Sequence, residues 1–486
     1  MRSSAVPTTL ALALLAALSA TSAQASGYHF GSQSASAQGT ANAGSAEAAD
    51  ASVVFYNPAG LTQVKGTQAS GVLTVVVPSG KFVDQGSTTA LGRPTGGGNG
   101  GKFVETTAVP HAYFSHQLSE RLTAGFGMFV PFGSKSEYDA DWTGRYNTIG
   151  TELKTIALNP SLGFKVNESL SIGGGVTAQY IEGKLSKGAD FGSGALSTLA
   201  PLLPPSALAA LAPQVSGNPL YSGRVDVEGK DWGFGFNLGL MYHYDQNTRF
   251  GVAYRSKISH KLSGDAHWQV LNQANGLETL FNTALPGSNA GTLVKTRLLA
   301  AYTNSDASLR VDTPESLSFS FFKQEQKLAL MGDITLTRHS RFQELRVDFA
   351  NALPDSVTPQ KWTNTLRASF GVSYQLNDQF KLRSGVAYDQ TPTSATTRTP
   401  SIPDNDRLWL SAGLNWKLDS KNSLDFALSY VDIAAATVKS YDNGGVVNAA
   451  GAPTCNAAVN TSSCATVVGR YKLHSGLFGV QYNRQF

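Results

Sequence analysis

Hydrophobic positions recur along this chain with a period of two. From Trp232 to Tyr244 the residues Trp232, Phe234, Phe236, Leu238, Leu240, Tyr242 and Tyr244 share one parity, and the other parity is mostly glycine and polar. Leu408, Leu410, Ala412, Leu414 and Trp416 repeat the pattern, as do Leu424, Phe426, Leu428 and Tyr430. Such alternation predicts strands with one apolar face. About fourteen segments of this kind follow one another, from 68–78 and 102–117 to 422–440 and 466–486. Every second connection is short and polar, such as Gln117-Leu118-Ser119-Glu120, Asp245-Gln246-Asn247 and Asp419-Ser420-Lys421. Others are long, at 188–222, 266–308 and 441–465. An even set of antiparallel strands with tight turns on one rim and long loops on the other predicts an all-β fold, a transmembrane β-barrel of the bacterial outer membrane. Closure is the physical requirement, because an open sheet edge would leave unpaired N–H and C=O groups in hydrocarbon.

The two ends support export. Arg2, the Ala/Leu run Leu10–Leu18 and the motif Ala23-Gln24-Ala25 read as a signal peptide over 1–25. No other stretch approaches the roughly 18 to 20 apolar residues of a membrane-spanning helix. The barrel is expected over 67–486. The chain ends in Tyr482-Asn483-Arg484-Gln485-Phe486, an aromatic terminus on an alternating strand. It looks like the signal by which bacterial barrel assembly machinery recognises its clients, although Arg484 departs from the usual apolar residue. Residues 26–66 differ from the rest. They are small and flexible, then carry Phe55-Tyr56-Asn57-Pro58-Ala59, where Asn-Pro favours a turn. This segment is expected to pack inside the barrel as a hatch that blocks free diffusion, with Asn57, Pro58 and Ala59 at its rigid turn.

Composition narrows the function. Charged residues are 15%, aromatics 10%, and Lys+Arg minus Asp+Glu is 38 − 34 = +4. Mean hydropathy is −0.13, too polar for a helical membrane protein. No basic domain points to nucleic acid. No zinc-protease, nucleophile-elbow or P-loop motif occurs. Gly96, Gly98 and Gly101 match a dinucleotide fingerprint only by spacing, with no following helix. The eight histidines form no ligand-like cluster. No enzyme activity, cofactor or metal is expected. The two cysteines, Cys455 and Cys464, read as one disulfide in an exported protein or as two free thiols.

The chain resembles the long-chain fatty acid outer-membrane transporters of the FadL type, a family that also contains aromatic-hydrocarbon channels. The resemblance rests on Asn57-Pro58-Ala59, Trp142-Thr143-Gly144-Arg145-Tyr146, Asp231 to Asn237, Tyr254-Arg255-Ser256 and Arg398 to Ser411, which holds Ile402-Pro403-Asp404-Asn405-Asp406-Arg407. It covers nearly the whole mature chain. It implies a fourteen-stranded barrel, an N-terminal hatch, a lateral opening in the third strand, and passive uptake of hydrophobic molecules such as fatty acids. The barrel is expected to sit in outer-membrane lipid as a monomer. Structural or adhesin-like barrels and open porins are the alternatives.

Three sets of residues are candidates for that path. Loop 188–222 has no charge from Phe191 to Gly223 and carries Leu196, Leu199, Leu202, Leu203, Leu208 and Leu211 around Pro201, Pro204 and Pro205. These leucines either form an outer groove for a greasy ligand, as the resemblance implies, or pack as a helical pair against loop 266–308. A carboxylate would want a cation in an apolar lumen. By the resemblance Lys187 stands where the family carries a basic residue, while the family's second basic position, near Thr358, has no clear match. Lys361 and Arg398 are further candidates near strand rims, and each of the three can equally be an ordinary lumen or loop charge. Finally, Val130-Pro131-Phe132-Gly133 interrupts strand three. Pro131 cannot donate to a ladder and Gly133 permits a bend. The break at Pro131, Phe132 and Gly133 is either a tolerated bulge or a lateral gate.

Overall fold

A computed structural model describes residues 27–441 and 465–486. The signal peptide over 1–25 and the pair Cys455 and Cys464 lie outside the described residues. Fourteen antiparallel strands form one closed wall. They are β1 (Thr67–Asp84), β2 (Thr107–Gln117), β3 (Leu122–Phe129 and Gly133–Glu137), β4 (Gly150–Lys165), β5 (Leu170–Asp190), β6 (Ser222–His243) and β7 (Thr248–Arg255 and Ile258–Gln269). The remainder are β8 (Ser305–Thr313 and Ser316–Glu325), β9 (Leu328–Thr337 and Glu344–Phe349), β10 (Ser356–Pro359 and Thr365–Gln375), β11 (Phe380–Asp389), β12 (Arg407–Lys417), β13 (Asn422–Tyr441) and β14 (Thr466–Gln485). The barrel closes through a long ladder in which Gln68 stands opposite Gln485 and Asp84 opposite Gly469. Both ends of the wall meet on the short-turn rim, where Phe486 N–H donates to Thr67 O at 3.0 Å.

The alternation seen in the sequence places its large side chains outward. Trp232, Phe234, Phe236, Leu238, Leu240 and Tyr242 are all exposed on β6, while Asn237 and Met241 face inward and are buried. An outward apolar face is what lipid requires of a barrel wall. Most strands match the expected segments within a few residues; β2 begins at Thr107, five residues inside the expected 102–117, and β1 is longer than expected. β1 runs on to Asp84, beyond the expected end at 78, because Pro78 is tolerated there. Its β2 ladder ends at Val76, so from Pro78 onward only β14 needs its backbone groups.

Residues 27–66 thread the lumen. A short helix α1 (Ala35–Gln38) lies against β12, β13 and β14, and a 3-10 helix (Pro58–Gln63) lies against β4, β5 and β6. Between them sits α2 (Val53–Tyr56). Asn57 starts the 3-10 turn: its Oδ1 accepts from Ala59 N–H at 3.0 Å, with Pro58 at the first position. Its Nδ2 donates to Leu240 O at 3.1 Å on β6. The backbone approaches the wall so closely that two lumen-facing positions admit only glycine. A Cβ on Gly173 would stand 2.4 Å from Ala59 N, and one on Gly385 would stand 2.2 Å from Thr40 C.

Over the long-loop rim lie two helical pairs, α3 (Phe191–Leu199) with α4 (Pro205–Val215), and α5 (Leu271–Ala284) with α6 (Ala290–Ala301). Asp190 caps α3, accepting from Ser193 N–H at 3.0 Å and Gly217 N–H at 3.2 Å. Buried Arg145 ties the neighbouring loops together by donating from Nη1 to Gly96 O at 2.6 Å and from Nη2 to Gly217 O. Trp142 of the same motif donates to Thr148 O at 2.7 Å and stacks on Tyr138 at 4.0 Å.

The packing of 27–66 on glycines is testable. Gly385→Val should cost about 1–3 kcal/mol of overpacking at that contact. Because the clash is with Thr40 and not with the wall, heat-modifiable mobility of the barrel should persist while limited proteolysis cuts within 27–66 faster. Unchanged protection of this segment would contradict the contact.

Candidate functional site

The wall is incomplete at one level of β3. The β2–β3 ladder stops where Ala112 stands opposite Met128. Beyond the break the second half of β3 pairs with β4, Gly133 opposite Lys154 to Glu137 opposite Gly150, and among the described residues it has no ladder to β2. Phe132 is turned into the barrel and buried. Its N–H donates to Thr155 Oγ1 at 3.0 Å, and Val130 N–H donates to His111 Nδ1 at 3.3 Å.

The start of the lumen segment takes up the remaining backbone groups. Phe30 N–H donates to Pro131 O at 2.9 Å, and Gly133 N–H donates to Tyr28 O at 2.7 Å. His29 and Phe132 form an isolated antiparallel bridge, with their rings 5.5 Å apart. Tyr28 packs edge-on to Phe132 at 5.6 Å and stacks on Trp362 at 5.2 Å. Asp404 anchors this stretch: its Oδ2 accepts from Gly27 N–H at 2.9 Å and from Thr391 Oγ1 at 2.7 Å, and its Oδ1 pairs with Arg407. Burial pushes the His29 imidazole down to about 3, and Arg367, Arg255 and Arg407 add to it. His29 is therefore neutral at physiological pH.

Two cavities flank this level. The deeper one is lined by His29, Phe55, Tyr56, Pro131, Phe132, Arg255 and Arg367, among others. Both arginines hold the lumen segment: Arg255 donates to Phe55 O at 2.8 Å and Arg367 to Ala41 O at 2.9 Å. The outer cavity is lined by Leu185, Val225, Val227, Leu345, Val347 and Phe349, with Thr358 and Lys187. Lys187 is the charged side chain of that lining among the described residues.

The other candidate residues fall in different places. Arg398 is buried and donates to Asp404 O and, at 2.6 Å, to Thr437 O, so its guanidinium holds the 390–406 loop against β13. Lys361 is exposed between the two halves of β10, in a left-handed turn with φ 47°, and is not part of either cavity's lining. Of the leucines, Leu196, Leu199 and Leu211 are buried in a cluster with Leu277, Phe281, Val294 and Leu298 of α5 and α6. In this conformation they hold the helical cap together. Leu203 and Leu208 are half-buried against the same cluster, and Leu202 is 62% exposed. Pro131, Phe132 and Gly133 border the wall break, and Asn57, Pro58 and Ala59 pack on β5 and β6. The residues that sequence reasoning missed are Tyr28, His29 and Phe30, and Asp404 as their anchor. The aromatic Tyr28-His29-Phe30 triplet amid small residues was the signal available for them.

A family model described as outer membrane protein transport protein (OMPP1/FadL/TodX) matches residues 16–486. An outer-membrane protein of Neisseria meningitidis serogroup B is 37% identical over 491 residues, covering 98% of each chain. The long-chain fatty acid transport protein of Escherichia coli K12 is 28% identical over 426 residues, covering 87% of this chain and 91% of its own. Among solved structures, a Pseudomonas aeruginosa FadL homologue superposes with a TM-score of 0.77 at 25% identity, covering 95% of this chain and all of the other. The Pseudomonas putida toluene transporter TodX shares the fold, with a TM-score of 0.60 at 18% identity over 95% of this chain and 100% of its own.

An ion pair holds the lumen segment nearer the short-turn rim. Glu47 lies 3.2 Å from Lys381 Nζ on β11. Burial alone would raise the Glu47 carboxyl; Lys381, with Arg383 and Arg249, outweighs it and brings the value below the ordinary one. A depressed carboxylate stabilises the folded state fully above its unfolded pKa of about 4.3 and loses that contribution as pH falls through the lower folded value. Residues 44–50 should therefore keep their hydrogen-exchange protection from neutral pH down past 4.3 and lose it below. Glu47→Gln should lower that protection by about 1 kcal/mol at pH 7, the size expected where Lys381 is partly solvated, and remove the acid transition. A variant with the wild-type acid transition would contradict this assignment.

Proposed function

This chain belongs to the outer-membrane transport proteins of the OMPP1/FadL/TodX family, and we propose that it takes up hydrophobic molecules such as long-chain fatty acids passively and releases them sideways into the bilayer. The observation that carries the reading is the end of the β2–β3 ladder at Ala112 and Met128, with the missing backbone partners supplied by Tyr28 and Phe30. A lumen filled by residues 27–66 disfavours an open porin. The helical cap offers apolar surface at Leu202, Leu220, Leu271 and Leu299 for first capture. The outer cavity then takes the chain, with Lys187 facing a carboxylate. Movement of the segment around Tyr28–Phe30 opens the break at Pro131, Phe132 and Gly133. Residues 27–66 act as the hatch, with Asn57-Pro58-Ala59 as its fixed end. Lateral release follows from energetics: leaving into water costs about 0.8 kcal/mol per CH2 re-exposed, or roughly 10 kcal/mol for a dozen methylenes. Phe486 serves recognition by the barrel assembly machinery.

Two outcomes test this path. Pro131→Val with Gly133→Val restores β-propensity and a donor at 131. Uptake of labelled oleate by cells should collapse while surface expression and ligand binding by the purified protein persist; normal uptake would mean that the ligand leaves along the axis. Lys187→Gln separates acid from hydrocarbon. It should weaken oleate binding about tenfold, the loss of one charge-assisted contact, and leave toluene binding unchanged. Equal effects on both ligands would remove Lys187 as the carboxylate partner.

A further inference from the structure

The outward face of the wall carries a cationic patch at the long-loop end of β1, β13 and β14. Lys81 on β1 stands directly opposite Lys472 on β14. Arg470 lies two residues along β14 on the same exposed face, opposite Thr437 of β13, and Lys439 follows two residues beyond Thr437. All four cations are exposed. Among the described residues none of them has an ion pair, and the exposed acid closest in register is Asp432, opposite His474. Like charges directly opposed in a ladder are destabilising.

Elsewhere in the wall Lys261 on β7 also stands opposite Arg310 on β8, as a single pair, whereas β5 and β6 show the contrary arrangement. Between β5 and β6, Glu182 stands opposite Lys230 and Lys184 opposite Glu228. Lys184 Nζ lies 3.3 Å from Glu228 and 3.5 Å from Glu182. Outward charges there are neutralised within the protein. At β1 and β14 the repulsion has no ion-pair partner among the described residues, which leaves room for a compensating charge from outside.

The height of the patch identifies its source. On the short-turn side of it the outward residues are apolar or aromatic: Leu73 and Val77 on β1, Phe478 and Tyr482 on β14, Leu428 and Tyr430 on β13, all exposed. That is the hydrocarbon band and its aromatic border. The cations follow beyond the polar layer of Ser79, His474 and Asp432, at the level of the outer-leaflet headgroups. Arginine and lysine at this height recognise phosphate by charge-assisted hydrogen bonds. We infer that Lys81, Arg470, Lys472 and Lys439 form a binding site for the phosphorylated headgroup of an outer-leaflet lipid, whose acyl chains lie along Val77 and Phe478. The site is independent of the lumen path, since it faces the bilayer and not the ligand.

The test uses the full-length protein purified in detergent, with bisphosphorylated lipid A as probe, its dephosphorylated form as comparison, and native mass spectrometry as readout. The wild type should retain the phosphorylated lipid in preference to the dephosphorylated one, and added salt should weaken the preference. Lys81→Gln with Arg470→Gln and Lys472→Gln should lower affinity about a hundredfold, from three cations removed at an anionic surface. Lys81→Arg with Lys472→Arg should retain it, and heat-modifiable mobility confirms that each variant is folded. Millimolar inorganic phosphate should not displace the lipid. Equal retention of both lipids, undiminished binding by the triple variant, or full displacement by free phosphate would each overturn the site.

Discussion

A wall in hydrocarbon must satisfy its own backbone, and in this barrel one level of one strand does not. After Met128, β3 leaves the ladder to β2, and from Val130 to Phe132 its polar groups are met by a side chain of β2, a side chain of β4 and the chain's own N-terminal stretch. Two of these bonds, Phe30 N–H to Pro131 O and Gly133 N–H to Tyr28 O, are of ladder type. The hole in the wall and the segment inside the lumen are therefore one feature. Each supplies backbone partners to the other: the break without the segment leaves Pro131 O and Gly133 N–H unpaired by backbone, and the segment without the break loses the strand it pairs with.

The means of holding the segment are consistent with its release. Residues 27–66 bury little large apolar surface of their own beyond Tyr28, Phe30, Val53, Val54, Leu61 and Val64. Much of their attachment is polar and long-range. Arg249 donates to Ala46 O and Glu47 O, Arg255 to Phe55 O, and Arg367 to Ala41 O, each from the wall to a carbonyl of the segment. Hydrogen bonds of this kind contribute modestly each, about 0.5–1.5 kcal/mol net for a neutral pair and more where one partner is charged. They exchange for water more readily than a packed apolar interface. The 3-10 turn at Asn57-Pro58-Ala59 is the exception, wedged on glycines of β5 and β6.

Strand order and closure were legible because lipid imposes a strict rule on each strand separately. Trp232 to Tyr244 announces its outward face without knowledge of any neighbour. The interruption at Pro131 was legible for the same reason. The lumen was not, since its contacts join residues hundreds of positions apart and follow no period. Nothing local marks Tyr28 as the partner of Gly133, or Asp404 as the anchor of Gly27. Arg398 and Lys361 offered the correct charge for an inner carboxylate, but one is spent on loop carbonyls and the other sits in an exposed left-handed turn. The leucines of 188–222 formed the helical pair that their spacing suggested, and the burial of Leu196, Leu199 and Leu211 against α5 and α6 depended on a second loop eighty residues away.

The central claim is that Tyr28–Phe30 must leave the break before a ligand can pass. His29 and Phe132 form a non-hydrogen-bonded antiparallel pair, for which a Cα separation of about 4.5 Å suits a disulfide. Replacing both with cysteine allows the segment to be locked to the wall by oxidation and freed by reduction. Uptake of labelled oleate by cells carrying His29→Cys with Phe132→Cys should be lost on oxidation and restored by reductant, with surface expression constant and each single variant insensitive. Full uptake by the oxidised, cross-linked protein would contradict the account.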